Sequence, residues 1–252
     1  MVSAILANIS IAQLALIAGA ALIASVIGGV SGYGTGALMP LVLVPILGPA
    51  PVVPIIALSS VFSNAGRTAA FFRQIDARRV LIVLAGALPT CVLGAWGFTL
   101  LSGRGAALVI GTMLALSVPL RRVLHRHGFK LSDRALAGAA IGYGLLVGGT
   151  TGSGIILLSL LMAAGLQGAS VIATDALISI IISLVKLVVF GFAGVMDVQA
   201  VAVALLIGLI ALPGSFLAKL MVERMPLSVH SAILDAVVIA GGATMAAAAF
   251  AR

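Results

Sequence analysis

The chain has 252 residues, 62% of them hydrophobic and only 8% charged, with a mean hydropathy of +1.32 and a formal charge of +8. No soluble fold keeps that much apolar surface from water, so the composition places the chain in a single all-α, membrane-embedded domain. The positive residues gather in short inter-helix stretches instead of forming a face, which excludes a nucleic-acid surface and fits positive-inside topology.

Taken in chain order, apolar runs bounded by Gly, Pro or charge fall at 11–29, 35–47, 52–72, 79–101, 104–121, 135–149, 154–165, 169–193, 199–221 and 228–250. No basic n-region precedes the first run, so residues 1–30 are expected to be a retained first span. A crossing takes about 20 residues. The runs at 35–47 and 154–165 are therefore too short, and each follows a glycine-rich stretch. Cys91 is the sole cysteine, which rules out an internal disulfide. The spans hold no His, Cys, Asp and Glu cluster, so no metal is expected.

Charge sets direction. Arg73, Arg78 and Arg79 mark one connection as cytoplasmic, and Arg121, Arg122, Arg126, Lys130 and Arg134 mark another. Lys219 and Arg224 against Glu223 vote for the same side, while Arg104 and Asp197 stand alone in the turns between. His125 and His127 belong to the basic linker and are expected to be solvated. Alternating crossings satisfy these assignments and place both termini outside.

The two glycine-rich stretches align. GGVSGYG from residue 28 lies over GGTTGSG from residue 148, an offset of 148 − 28 = 120 residues, and Ala87-Leu88-Pro89 recurs as Ala211-Leu212-Pro213. The chain reads as two five-segment repeats, 1–121 and 134–252, joined by a basic cytoplasmic linker at 122–133. Five is odd, so the second copy enters the membrane from the opposite face. Inverted repeats, each with a glycine-interrupted short half-helix, point to a secondary transporter with a site near mid-membrane.

The glycines let the chain unwind and restart as a half-helix whose first amides have no intrahelical acceptor, a place suited to an anion. Gly32, Tyr33, Gly34 and Thr35 with Ser31 form one tip; Thr151, Gly152 and Ser153 with Thr150 form the other. The third segment carries Ser59, Ser63 and Arg67 at four-residue spacing, with Ser60 and Asn64 alongside. Its counterpart carries Asp175, Ser179 and Ser183, then Lys186. Cations held inside spans usually face a pathway or a partner, so these residues are expected to line one substrate cavity made positive by Arg67 and Lys186. Asp175 and Asp235, each about two turns inside the membrane, either carry a coupling proton or simply pair with a helix end or a basic residue.

These residues resemble the sulfite exporter TauE/SafE family of membrane permeases. The likeness rests on residues 28–36 followed by Pro40, on the Arg67, Phe71, Phe72, Arg73, Asp76 and Arg78 passage, and on residues 148–154. It implies export or uptake of sulfur-containing anions such as sulfite, sulfoacetate or related organosulfonates across a prokaryotic inner membrane, without a cofactor. The implied partners are a small anion, H+ or another coupling ion, the lipid bilayer and, at most, further copies of the chain in a homo-oligomer. One departure is Leu160 where the second half would match Pro40. Two rival readings are a passive anion channel and an intramembrane serine protease built on Gly29-Val30-Ser31-Gly32. Thr151 at the position matching Ser31, with His230 alone near a span, weighs against the protease.

Overall fold

The computed structural model describes residues 9–31, 34–126 and 130–222, together with 239 and 243. Among the described residues there are nine α-helices, one 3-10 turn at Phe72–Gln74 and no strand. The helices are α1 (Ile11–Ser31), α2 (Gly34–Leu47), α3 (Val52–Ala70), α4 (Ala77–Thr99), α5 (Gly103–Arg126), α6 (Asp133–Gly149), α7 (Gly154–Ala163), α8 (Ala169–Phe192) and α9 (Val198–Val222). The expected tenth segment at 228–250, with Asp235, lies outside the described residues apart from Ile239 and Ala243; Gly32 and Tyr33 lie outside them too.

Short polar residues set the helix starts by taking up amides that have no intrahelical acceptor. Ser10 and Gln13 form a reciprocal capping box at α1, with Gln13 N donating to Ser10 Oγ at 3.2 Å and Ser10 N to Gln13 Oε1 at 2.8 Å. Asp76 accepts from Arg79 N at 3.0 Å, Ser132 from Ala135 N at 3.3 Å and Asp197 from Ala200 N at 2.6 Å.

α1 with α2, and α6 with α7, form helical hairpins broken at the glycine-rich stretches. Leu131 N donates to Ala163 O at 2.8 Å, so α7 ends beside the start of α6 and the chain enters and leaves that hairpin at one face. The 10 residues of α7 span about 15 Å, roughly half the hydrocarbon core of a bilayer. In the other hairpin, a Cβ on Gly34 would strike Ala24 O and the Gly28 backbone. Glycine is what lets α2 begin that close to α1.

Helix packing crosses between the halves of the chain. α4 packs along α6 and α9 along α1, while α3 and α8 lie together at the centre, α3 also on α9 and α8 also on α4. The α4–α6 seam is backbone against backbone: a Cβ on Gly144 would strike Ala87 O, and one on Gly148 would strike Cys91 O. Gly144 and Gly148 have the small-xxx-small spacing that permits such an approach in membranes. Thr90 Oγ1 adds a bond across it to Ile141 O at 2.8 Å.

One end of the bundle is basic and tied together. Arg79 Nη2 donates to Ala164 O at 2.9 Å, Asp76 N to Thr174 Oγ1 at 3.0 Å, and Asp133 pairs with both Arg78 and Arg79. Along the sides, large apolar residues such as Leu81, Leu93, Leu116, Val188 and Leu209 point outward. A belt of that kind suits lipid and not water, and α1, α4 and α8 are long and apolar enough to cross a membrane.

Candidate functional site

The polar residues of the two central helices face one another. Ser60, Ser63, Asn64 and Arg67 from α3 and Ser179, Ser183 and Lys186 from α8 line a cavity of about 90 Å³. Its walls are completed by Gly34, Thr35 and Gly36 from the start of α2, by Thr151, Gly152, Ser153 and Gly154 at the start of α7, and by Ser25, Tyr143 and Thr150. The cavity therefore lies where the two broken helices restart.

Ser59 is placed elsewhere. It is fully buried, and its Oγ donates to Ile56 O at 3.2 Å, outside the cavity lining. The reason is helical geometry: steps of four residues drift by about 40° each at ~100° per residue, so the stripe through Arg67 passes through Asn64 and Ser60. Ser60, Ser25 and Tyr143 are lining residues that the four-residue spacing did not select.

The restart points touch. Thr151 Oγ1 donates to Gly36 O across the two tips, and a Cβ on Gly36 would come within 3.3 Å of Gly152 N. Gly152 has φ +82, a left-handed conformation that favours glycine. Ser153 precedes α7 with no side-chain cap, so the first amides of α7 have no intrahelical acceptor. Two hydroxyls expected to serve substrate are committed to backbone instead, Thr150 to Leu146 O at 2.7 Å and Thr151 to Gly36 O. Thr35, Ser179 and Ser183 line the cavity with no side-chain hydrogen bond among the described residues.

The two cations hold matching positions. Lys186 Nζ donates to Val147 O at 2.7 Å and Thr150 O at 2.9 Å, at the C-terminal end of α6, where a positive charge opposes the helix dipole. Arg67 Nη1 lies 3.5 Å from Gly28 O near the end of α1, and Arg67 Nη2 donates to Asn64 Oδ1. Both cations reach a carbonyl 39 residues earlier in the chain. They stand 186 − 67 = 119 residues apart, one fewer than the offset of the glycine stretches.

Their charge balance differs. Arg67 Nη1 is 3.7 Å from Asp175 Oδ2, whereas Lys186 has no carboxylate partner among the described residues. The sequence suggested two uncompensated positive charges; here one of them is matched by a carboxylate. Asp175 is 1% exposed and stands behind Arg67, outside the lining.

The described residues contain no group of three or more His, Cys, Asp or Glu suited to a metal ion. What the cavity offers is hydroxyls, helix-start amides and two cations, the chemistry of a small-anion site. No curated protein and no solved structure matches this chain. The sequence model of the family described as sulfite exporter TauE/SafE matches residues 17–245. With most of its length covered, the chain belongs to the TauE/SafE sulfite exporter family, whose members are membrane transporters and not enzymes.

Proposed function

We propose that this chain carries a small sulfur-containing oxyanion, such as sulfite or the head group of sulfoacetate or a related organosulfonate, across a prokaryotic inner membrane by alternating access. The observation that carries the reading is the cavity at the meeting of the two helix restarts, with Arg67 and Lys186 in its walls. A cavity of about 90 Å³ has room for several water molecules. That suits a compact oxyanion; the remainder of a longer organosulfonate would sit in whichever vestibule is open.

The anion would lie between Gly34–Thr35 and Thr151–Ser153, at the two helix restarts. Asn64, Ser179 and Ser183 would supply donors, joined by Ser63 once its hydroxyl turns from Ser60 O, and Arg67 and Lys186 the charge. Two inverted repeats, 1–121 and 134–252, would rock against one another around this site. The exchanged packing of α4 on α6 and α9 on α1 supports that relation. The basic end, with Arg78, Arg79, Lys130 and Arg134, would face the cytoplasm and leave both termini periplasmic. Coupling to H+ would use a carboxyl inside the membrane, Asp175 or Asp235.

The test is flux into proteoliposomes of sulfite, sulfate, thiosulfate, sulfoacetate and taurine, with and without a pH gradient. Saturable uptake of one sulfur oxyanion, accelerated by the same anion on the far side, is the expected result. Lys186→Ala should weaken its apparent affinity while the exposed Arg104→Ala leaves it unchanged. Currents that never saturate would replace the carrier with a passive channel, and absence of flux in folded protein would remove sulfur anions as the substrate class.

A further inference from the structure

Asp175 is a buried carboxyl that neither lines the cavity nor completes its own hydrogen bonding. It is 1% exposed, and its Oδ1 has no hydrogen-bond partner among the described residues. Its other oxygen, Oδ2, lies 3.7 Å from Arg67 Nη1, and Arg67 does line the cavity. The guanidinium therefore stands between a tethered anion on one side and the space for a free one on the other.

The surroundings leave Asp175 few alternatives. From α3 it faces Arg67 and from α6 Tyr143. From the start of α4, Asp76 and Arg79 are at the basic end, where Asp76 N bonds the neighbouring Thr174, and the 3-10 turn packed on α8 brings Arg73. α7 brings no charged residue, and Lys186 is about three turns farther along α8 itself. If Arg67 turns to a second anion, Asp175 loses the one cation it pairs with among the described residues. Burial and a nearby like charge both favour the neutral form of a carboxyl. A buried polar atom left without a partner also calls for an explanation.

We propose that Asp175 is a tethered counter-anion that holds Arg67 while the cavity is empty, and that an entering anion displaces it, whereupon the freed carboxylate takes up one proton at Oδ1. This rests on the transporter reading and adds to it the coupling ion and the residue that carries it. The balance is one proton, drawn from the aqueous phase, for each anion bound; no bond other than the new O–H is made. Arg67 with ionised Asp175 is neutral, and so is Arg67 with a bound monoanion and protonated Asp175. The Arg67 end of the site thus carries the same charge empty or loaded, so that both forms can change sides. Anion and proton move together.

The experiment compares the wild-type chain with Asp175→Asn in lipid, using sulfite as the probe. Infrared difference spectra recorded on adding sulfite at fixed pH should show the carbonyl stretch of a protonated buried acid, absent in Asp175→Asn. The apparent sulfite affinity should rise as pH falls, approaching about tenfold per pH unit more steeply in wild type than in the variant. The variant carries the titration of sulfite itself, so the difference between the two slopes reads the carboxyl. Asp175→Asn should still exchange sulfite for sulfite while losing accumulation driven by a pH gradient, and Asp175→Glu should restore it. Sulfite exchange with no protonated-acid band, or with equal slopes in both proteins, overturns the proposal and leaves the transporter reading standing. Sulfite that neither binds nor crosses overturns both.

Discussion

Arg67 and Lys186 occupy corresponding places in the two halves of the bundle, each on a central helix and each reaching back 39 residues to a carbonyl near the end of a broken one. One has a carboxylate beside it and the other has only backbone oxygens. The two central helices thus hold a cation against the end of an interrupted helix in different ways: Lys186 by backbone carbonyls alone, Arg67 by a carbonyl, a side-chain amide and a carboxylate.

Removing each cation should therefore do different damage. Arg67→Met leaves a carboxylate buried without its partner, a loss of about 3–5 kcal/mol in stability when a buried pair is broken from one side. The double variant Arg67→Met/Asp175→Asn should recover most of that, because no charge is then stranded. Thermal unfolding in detergent reads both, and a double variant no more stable than the single one would mean that Arg67 acts mainly on Gly28 and Asn64. Lys186→Met strands two carbonyls and no charge. At about 1.5–3 kcal/mol for each hydrogen bond to a charged group, the loss of two should cost about as much as Arg67→Met. It should gain nothing from Asp175→Asn.

Much of this was legible in the sequence, and the failures have physical causes. The paired glycine stretches located both hairpin turns, because a helix that restarts against its predecessor needs residues without a Cβ, as Gly34 does against Ala24. The helix stripe was legible only in part: four-residue counting selected Ser59, whereas the helical repeat runs through Ser60 and Asn64. The match between Arg67 and Lys186 was hidden by a one-residue difference between the offset of the glycines and that of the cations. Charge compensation was legible only as an alternative, that Asp175 pairs with a helix end or a basic residue, and the partner was not. Asp175 and Arg67 lie on helices far apart in sequence, and a single chain carries no signal that they meet.

The α4–α6 seam extends the comparison to glycines on a single helix. Gly144 faces α4, where an added Cβ would strike Ala87 O, while Gly142 meets nothing within 4 Å. Gly144→Ala should destabilise by about 1–3 kcal/mol through overpacking against a backbone that cannot yield. Gly142→Ala should stabilise by up to about 1 kcal/mol from helix propensity alone. Opposite signs in unfolding midpoints two residues apart would establish the seam as the fixed part of the bundle. Equal, small effects would mean that α6 slides on α4, and that the loop carrying Thr151 and Gly152 moves with it.

The smallest effect belongs to the pair at the basic end, where Asp133 meets Arg78 and Arg79. The Asp133 side chain is 31% exposed and Arg78 is 77% exposed, so solvent and salt screen both. Asp133→Asn should cost only about 0.2–1 kcal/mol, and the cost should fade as salt is raised. Arg67→Met should keep its full cost at the same salt, because its partner is buried with it. If the Asp133 pair proves as costly and as salt-resistant as the Arg67 pair, the basic end is closed more tightly than its exposure implies. The movable charge would then have to be sought at that end, among Asp133, Arg78 and Arg79, and not beside the cavity.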